Sequence, residues 1–335
     1  LKKSKVQFIK FAVSGLLLGL TTMGIATQAQ AAKVSPESKV KTTVKVNEMM
    51  RVKTSSTTAT SKITAAFWNY PYGSNKAAKK THWVKNYANK TLIATKQATL
   101  KNGLKYYYVK VASKPSVQGW VYTKWLRQMS MVSLGDSITK GWTGVDYATT
   151  PYPKQVGETL GMTSTNLGEN NGKVVGSSSL DLTYNIDNHN FDKDDVATIS
   201  YGVNDYFHDL SLMSVQSTLD QELTELQAQY PNLQIFGLLP LNCYVADATT
   251  GEYVSAATTM YKDHAYTLND LRDMEAEVYK AHNIKVLDWR DYEGTIIPTD
   301  DARMTVFGDQ RLHPTQATYT EMSGYISDFL QNNIK

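Results

Sequence analysis

Only one cysteine, Cys243, stands among 335 residues, so no intramolecular disulfide is available. Stability must come from burial of a core, which a chain of this length can supply. No cysteine-centred motif surrounds Cys243, and its setting reads as a small buried apolar side chain. Long apolar runs are missing after the N-terminal segment, so no later segment is apolar enough for a membrane-spanning helix. Acids are nearly missing from residues 33–128, where Glu37 and Glu48 face 19 Lys and Arg, a net +17. Residues 129–335 invert this, with 12 Lys and Arg against 29 Asp and Glu, a net −17. A near-neutral average thus conceals two oppositely charged parts, which suggests separate domains with separate partners.

The first 32 residues read as a secretory signal peptide. Lys2, Lys3, Lys5 and Lys10 form a basic head, residues 11–25 an apolar core, and Ala29-Gln30-Ala31-Ala32 a small-residue exit. The core is shorter than the roughly 20 residues of a bilayer crossing, and Gly15, Gly19 and Gly24 interrupt it. The expectation is an exported protein, and its cysteine poverty suits the surface of a Gram-positive bacterium. Residues 33–61, rich in Lys, Val, Ser and Thr and poor in aromatics, read as a flexible basic linker.

Aromatics crowd into residues 62–128, including Phe67, Trp68, Trp83, Tyr106, Tyr107, Tyr108, Trp120 and Trp125. Short alternating runs are separated by turn signals at Pro71-Tyr72-Gly73, Asn102-Gly103 and Lys114-Pro115, which predicts a small antiparallel barrel. From residue 129 apolar strands alternate with helical periodicity. Strands are predicted at 129–134, 164–167, 196–201, 234–239 and 284–289, and helices at 152–160, 214–229, 268–282 and 318–332. That alternation predicts an α/β domain with a parallel sheet and helices on both faces. In such sheets chemistry gathers beyond the carboxyl ends of the strands.

Four short islands fall near those ends. Gly135-Asp136-Ser137-Ile138-Thr139 turns out of the first strand into a helix and exposes a hydroxyl. Thr139 stands where a Gly-x-Ser-x-Gly elbow needs its last glycine, which excludes the α/β-hydrolase version of this turn. Asn166-Leu167-Gly168 ends the second strand, and Gly168 can offer its backbone N–H. Gly202-Val203-Asn204-Asp205 follows the third strand, and the Asn204 amide can donate to developing negative charge. Leu312-His313-Pro314 precedes the last helix, where Pro314 fixes the backbone of a base. Taken singly, Ser137 reads first as a helix cap and Asn204-Asp205 reads as an Asx-turn.

In this order the islands resemble the SGNH, or GDSL-type, hydrolase superfamily over residues 129–335. The resemblance implies a three-layer α/β/α flavodoxin-like sandwich. It further implies Ser137 as nucleophile, His313 as base, and Gly168 and Asn204 as oxyanion donors beside the Ser137 N–H. No metal or cofactor is called for. One departure concerns the acid that orients the base. The family places an aspartate three residues before the histidine, where this chain has Gln310, with Asp309 one residue further back. A one-residue bulge would bring Asp309 to the His313 ring; otherwise Gln310 or a carbonyl orients it. The run Gly119-Trp120-Val121-Tyr122 before Trp125-Leu126 resembles the closing strand of bacterial SH3-like, GW-type wall-binding modules over residues 62–128.

The function expected is a wall-associated serine ester hydrolase acting on short-acyl, carbohydrate or wall-polymer esters. Residues 62–128 would hold an anionic wall polymer, teichoic acid or peptidoglycan, and export argues against nucleic acid. Trp142, Tyr206, Phe207 and residues 242–263 are expected to shape the substrate pocket. The alternative is a wall-binding or adhesion protein with a degenerate hydrolase domain, marked by Gln310.

Overall fold

Alternation of Val, Thr and Tyr with Lys and Gln builds the N-terminal part, because β-branched and aromatic side chains fit a pleated, half-buried surface. The computed structural model describes residues 34–53, 65–261 and 266–335. The expected signal segment and residues 54–61 of the expected linker lie outside the described residues. Seven strands form the N-terminal module: β1 (Val40–Val52), β2 (Ala66–Trp68), β3 (Lys80–Trp83), β4 (Leu92–Leu100), β5 (Lys105–Val111), β6 (Lys114–Tyr122) and β7 (Leu126–Gln128). They pair in the order β3-β2-β6-β5-β4-β1-β7, antiparallel throughout. One face buries Met50, Phe67, Leu92, Val109, Val121 and Trp125. Trp68 packs with Tyr72, Trp83 and Trp120 in a second cluster.

Three sequence expectations change here. Residues 40–52 are not linker but the long strand β1, paired with β4 and β7. Most of β1 is exposed, so its polar composition reflects solvent contact rather than lack of structure. The expected barrel is a seven-stranded sheet whose order runs from β3 to β7, with no pairing between those two edges among the described residues. Lys114-Pro115 opens β6 instead of making a turn, as suits proline at the first positions of a strand.

The chain passes from β7 directly into a parallel sheet of β8 (Ser130–Gly135), β9 (Thr163–Gly168), β10 (Val196–Ser200), β11 (Gln234–Leu238) and β14 (Lys285–Leu287). A hairpin, β12 (Tyr244–Ala246) and β13 (Tyr253–Ser255), stands apart from it. The parallel order is β14-β11-β10-β8-β9. After β8 the chain moves outward to β9, then returns across β8 to β10. The loops leaving β8 and β10 therefore diverge and open a crevice at their carboxyl ends.

The connections are helices α1 (Ser137–Lys140), α2 (Tyr152–Leu160), α3 (Leu182–Asn188), α4 (Val203–Phe207), α5 (Leu212–Gln229), α6 (Leu268–Ala281), α7 (Arg290–Ile296), α8 (Arg303–Val306) and α9 (Gln316–Asn333). α9 packs on α2, and α5 on α6. Thr267 and Asp270 close a capping box on α6, and Thr315 caps α9, each cap contributing about 1 kcal/mol.

Module and parallel sheet are fastened at Asp195, the buried residue before β10. Arg127 grips its carboxylate with two nitrogens, at 2.5 and 2.8 Å, while Arg51 Nε lies 3.3 Å away and Ser130 N–H donates at 3.0 Å. Around this point Met129 N–H donates to Met49 O at 2.8 Å, and the Asn47 amide to Thr159 O at 2.8 Å. The Thr91 hydroxyl reaches the Lys335 carbonyl at 2.7 Å, so the last residue is also held against the module.

Candidate active site

Ser137 is the first residue of α1, one residue beyond β8 and Asp136. Asp136 caps the helix, its Oδ1 accepting from Ile138 N–H at 2.8 Å. Burial pushes the Asp136 carboxyl up to about 6, against the downward pull of that N–H and of His313. The Ser137 hydroxyl lies 3.0 Å from His313 Nε2. On the other side of the ring, His313 Nδ1 stands 2.6 Å from Asp309 Oδ2. With the proton on Nδ1 donated to this carboxylate, Nε2 is the acceptor that faces Ser137.

The loop carrying both residues explains how Asp309 reaches the ring. A bridge between Phe307 and Pro314 closes the loop, and Gly308 N–H donates to His313 O at 2.8 Å. Gln310 takes a left-handed conformation, φ +62°, and absorbs the residue by which this chain exceeds the family's spacing. Its side chain is exposed and its carbonyl accepts from Arg303 Nη1 at 2.9 Å. Asp309 Oδ1 then accepts three backbone N–H groups, from Arg311 at 3.1, Leu312 at 2.9 and His313 at 3.0 Å. Burial alone would raise this carboxyl, but the His313 hydrogen bond and the N–H groups outweigh it and hold it down at about 2. Asp309 therefore stays ionised against the ring. Gly144, at φ +91°, lets a neighbouring loop approach it: a Cβ there would sit 2.5 Å from Asp309 Cβ.

Asn204 projects from α4 beyond β10. Its Nδ2 donates to Gly172 O at 2.9 Å, which leaves the second amide hydrogen for the cleft. Asp205 beside it is buried, and its carboxylate accepts Val174 and Val175 N–H at 2.8 and 2.9 Å. Burial pushes Asp205 up to about 7 against the pull of those N–H groups. The Asn204-Asp205 pair thus straps down the loop that follows β9.

Gly168 does not reach the cleft, which corrects the role expected for it. Its N–H donates to Asn166 Oδ1 at 2.9 Å, and a Cβ there would meet Lys140 N at 2.3 Å. It is a packing glycine beneath α1. The chain needs three further residues to arrive beside Ser137, where Asn170 and Asn171 line the cleft. Asn171 has φ +62°, while Gly172 N–H is committed to Glu169 O at 3.1 Å. The available signal was Asn170-Asn171-Gly172, since asparagine tolerates positive φ.

A family described as GDSL-like Lipase/Acylhydrolase matches residues 133–320, more than half of the chain. The chain belongs to this family. It is accordingly an esterase or acylhydrolase. The GDSL-like fold is similar to that of a protein from Lactobacillus plantarum, 20% identical with a TM-score of 0.52, over 62% of this chain and 98% of that one. A member of the lipolytic protein G-D-S-L family from Veillonella parvula is 20% identical with a TM-score of 0.42, over 60% and 97%. Axe2, an acetylxylan esterase from Geobacillus stearothermophilus, is 15% identical with a TM-score of 0.43, over 62% and 95%. Among curated proteins none matches.

The cleft of the GDSL-like domain holds about 450 Å³ and is lined by Ser137 and His313 together with Trp142, Asn171, Asn204, Phe207, His208, Tyr261 and Arg311. Tyr206, expected there, is instead fully buried, and its hydroxyl donates to Thr259 O at 2.7 Å. Of the long segment expected there, residues 242–261 are described, and among these Tyr261 lines the cleft. Cys243 is buried, and burial pushes its thiol up to about 12, which leaves it unreactive.

Proposed function

We propose that this chain is an exported serine ester hydrolase that works through an acyl-enzyme on short-acyl esters of carbohydrates or wall polymers. The observation that carries the reading is the unbroken line from Asp309 through His313 to Ser137, at 2.6 and 3.0 Å. Asp309 keeps the proton on Nδ1, so Nε2 takes the Ser137 proton as Oγ adds to the ester carbonyl. The resulting oxyanion is met by the Ser137 N–H, the free Asn204 amide hydrogen and the Asn171 N–H. Losing one such donor typically costs about 3–4 kcal/mol of barrier. Collapse of the intermediate expels the alcohol, which leaves with the proton held on His313. Water then attacks the acyl group with His313 again as base.

Asparagines and His208 around the cleft suit an alcohol portion rich in hydroxyls. In this reading the domain is a three-layer flavodoxin-like sandwich, and the β-module is an SH3-like unit holding anionic wall polymer through its uncompensated lysines. The adhesion alternative leaned on Gln310, and Asp309 at the ring removes that support. Turnover of p-nitrophenyl acetate and longer esters by wild type and Ser137→Ala tests the catalytic reading. Absence of Ser137-dependent turnover would sink it. Retention on isolated walls tests the anchoring, using the whole chain with exposed Lys76, Lys79, Lys80 and Lys85 changed to Gln. Unchanged retention would defeat it.

A further inference from the structure

Arg311 lines the cleft from the same loop that carries Asp309 and His313. Its guanidinium carbon lies 5.1 Å from the centre of the Phe207 ring, on the helix that also bears Asn204. Its backbone is fixed from both sides, the N–H donating to Asp309 and the carbonyl accepting from Tyr244 N–H at 2.8 Å. Two other arginines of this acid-rich domain are matched to carboxylates, Arg272 to Glu293 and Arg290 to Asp288 and Asp273. A third, Arg303, donates to the Gln310 carbonyl. Arg311 has no such partner among the described residues. Among the described residues that line the cleft there is no Asp, Glu or Lys, so Arg311 is the one fixed charge they carry.

A guanidinium stacked on an aromatic face keeps its N–H edge free, and that planar fork matches the paired oxygens of a carboxylate or phosphate. We propose that Arg311 selects esters whose alcohol portion carries an anionic oxygen group. This rests on the esterase reading of the same cleft. His313 returns its proton to the departing alcohol, and Arg311 lines the same cleft from the loop that carries His313, so the proposal takes the alcohol portion as the part it meets. The basic module agrees independently. A polymer charged along its length would be held by the module's lysines while one charged unit engages Arg311.

The test compares acetate release by the whole chain from acetylglycerol, from acetylglycerol phosphate and from acetylated glyceric acid. Preference for a charged ester should be about tenfold or more in kcat/KM, carried by KM, and the two charged probes report whether phosphate or carboxylate fits. In Arg311→Gln the charged-to-neutral ratio should collapse toward one, with part of it kept in Arg311→Lys. A second measurement needs no variant: glycerol phosphate or glycerate should inhibit p-nitrophenyl acetate hydrolysis where glycerol does not. A ratio unmoved by Arg311→Gln, or equal inhibition by charged and neutral compounds, overturns the proposal while the esterase reading stands. No Ser137-dependent release from any ester removes both.

Discussion

Asp309 meets His313 from four residues upstream, and the left-handed turn at Gln310 makes that reach possible. Asp309→Asn should lower kcat by about 10³–10⁴, because the amide cannot stabilise imidazolium or hold the required tautomer. Gln310→Gly keeps the turn and should keep the activity. Steady-state kinetics on one activated ester decide it. A loss in Gln310→Gly with activity kept in Asp309→Asn would assign the orienting role to Gln310 instead.

Asn204 and Gly168 should part company. Under the proposed mechanism Asn204→Ala removes an oxyanion donor and should cost about 10²–10³ in kcat with little change in KM. Gly168→Ala forces a methyl group to 2.3 Å from Lys140 N, and should appear as a lower melting temperature with kcat per folded molecule preserved. A selective kcat loss in Gly168→Ala would restore that residue to the oxyanion hole.

Asp195 should matter more to stability than either arginine it binds. Arg51 is buried with an unpartnered Nη1, and burial pushes its pKa down against the pull of Asp195. Asp195→Ala strands that charge and should cost about 3–5 kcal/mol in urea unfolding. Arg127, whose side chain is 40% exposed, should cost about 1 kcal/mol or less when replaced by Ala. Similar effects of the two changes would show that the junction is not held there.

Mildly acidic solution should favour the folded state. Asp136 and Asp205 titrate at about 6 and 7 in the fold, above the ordinary 3.8, and Glu275 is also raised by burial. The stability tied to their protonation is complete below about pH 4 and disappears as pH rises through those values. Asp309, held near 2, acts oppositely: its contribution is present above about pH 4 and disappears toward pH 2. The melting temperature should therefore be higher at pH 5 than at pH 8, with a slope of at most about 1.4 kcal/mol per pH unit for each raised group. Asp205→Asn should flatten that slope, and a profile rising steadily to pH 8 would contradict it.

The parallel strands and long helices were legible because burial imposes a period on the sequence. Helix α2, for instance, spans the residues whose spacing predicts it. Ser137, His313 and Asn204 were legible because each follows a strand end or a fixed turn. Strand β1 was not, since both of its faces meet solvent over most of its length and apolar contrast is weak. Gly168 misled because an N–H at a strand end is available only when no nearer acceptor claims it, and Asn166 stands two residues away. The short helices α3, α4, α7 and α8 are set by tertiary contacts and leave little periodicity to read. Tyr206 illustrates the same limit: an aromatic beside a site residue can face the core just as well as the cleft.

Arg51 and Arg127 rivet a lysine-rich lobe to an acid-rich one, so the molecule carries a permanent electric dipole. Near any surface of fixed negative charge it feels a torque as well as a pull, turning the basic lobe inward and the opposite lobe outward. Arrival would then be oriented before contact is made. Salt that shortens the screening length below about 10 Å would leave the protein to tumble in at random.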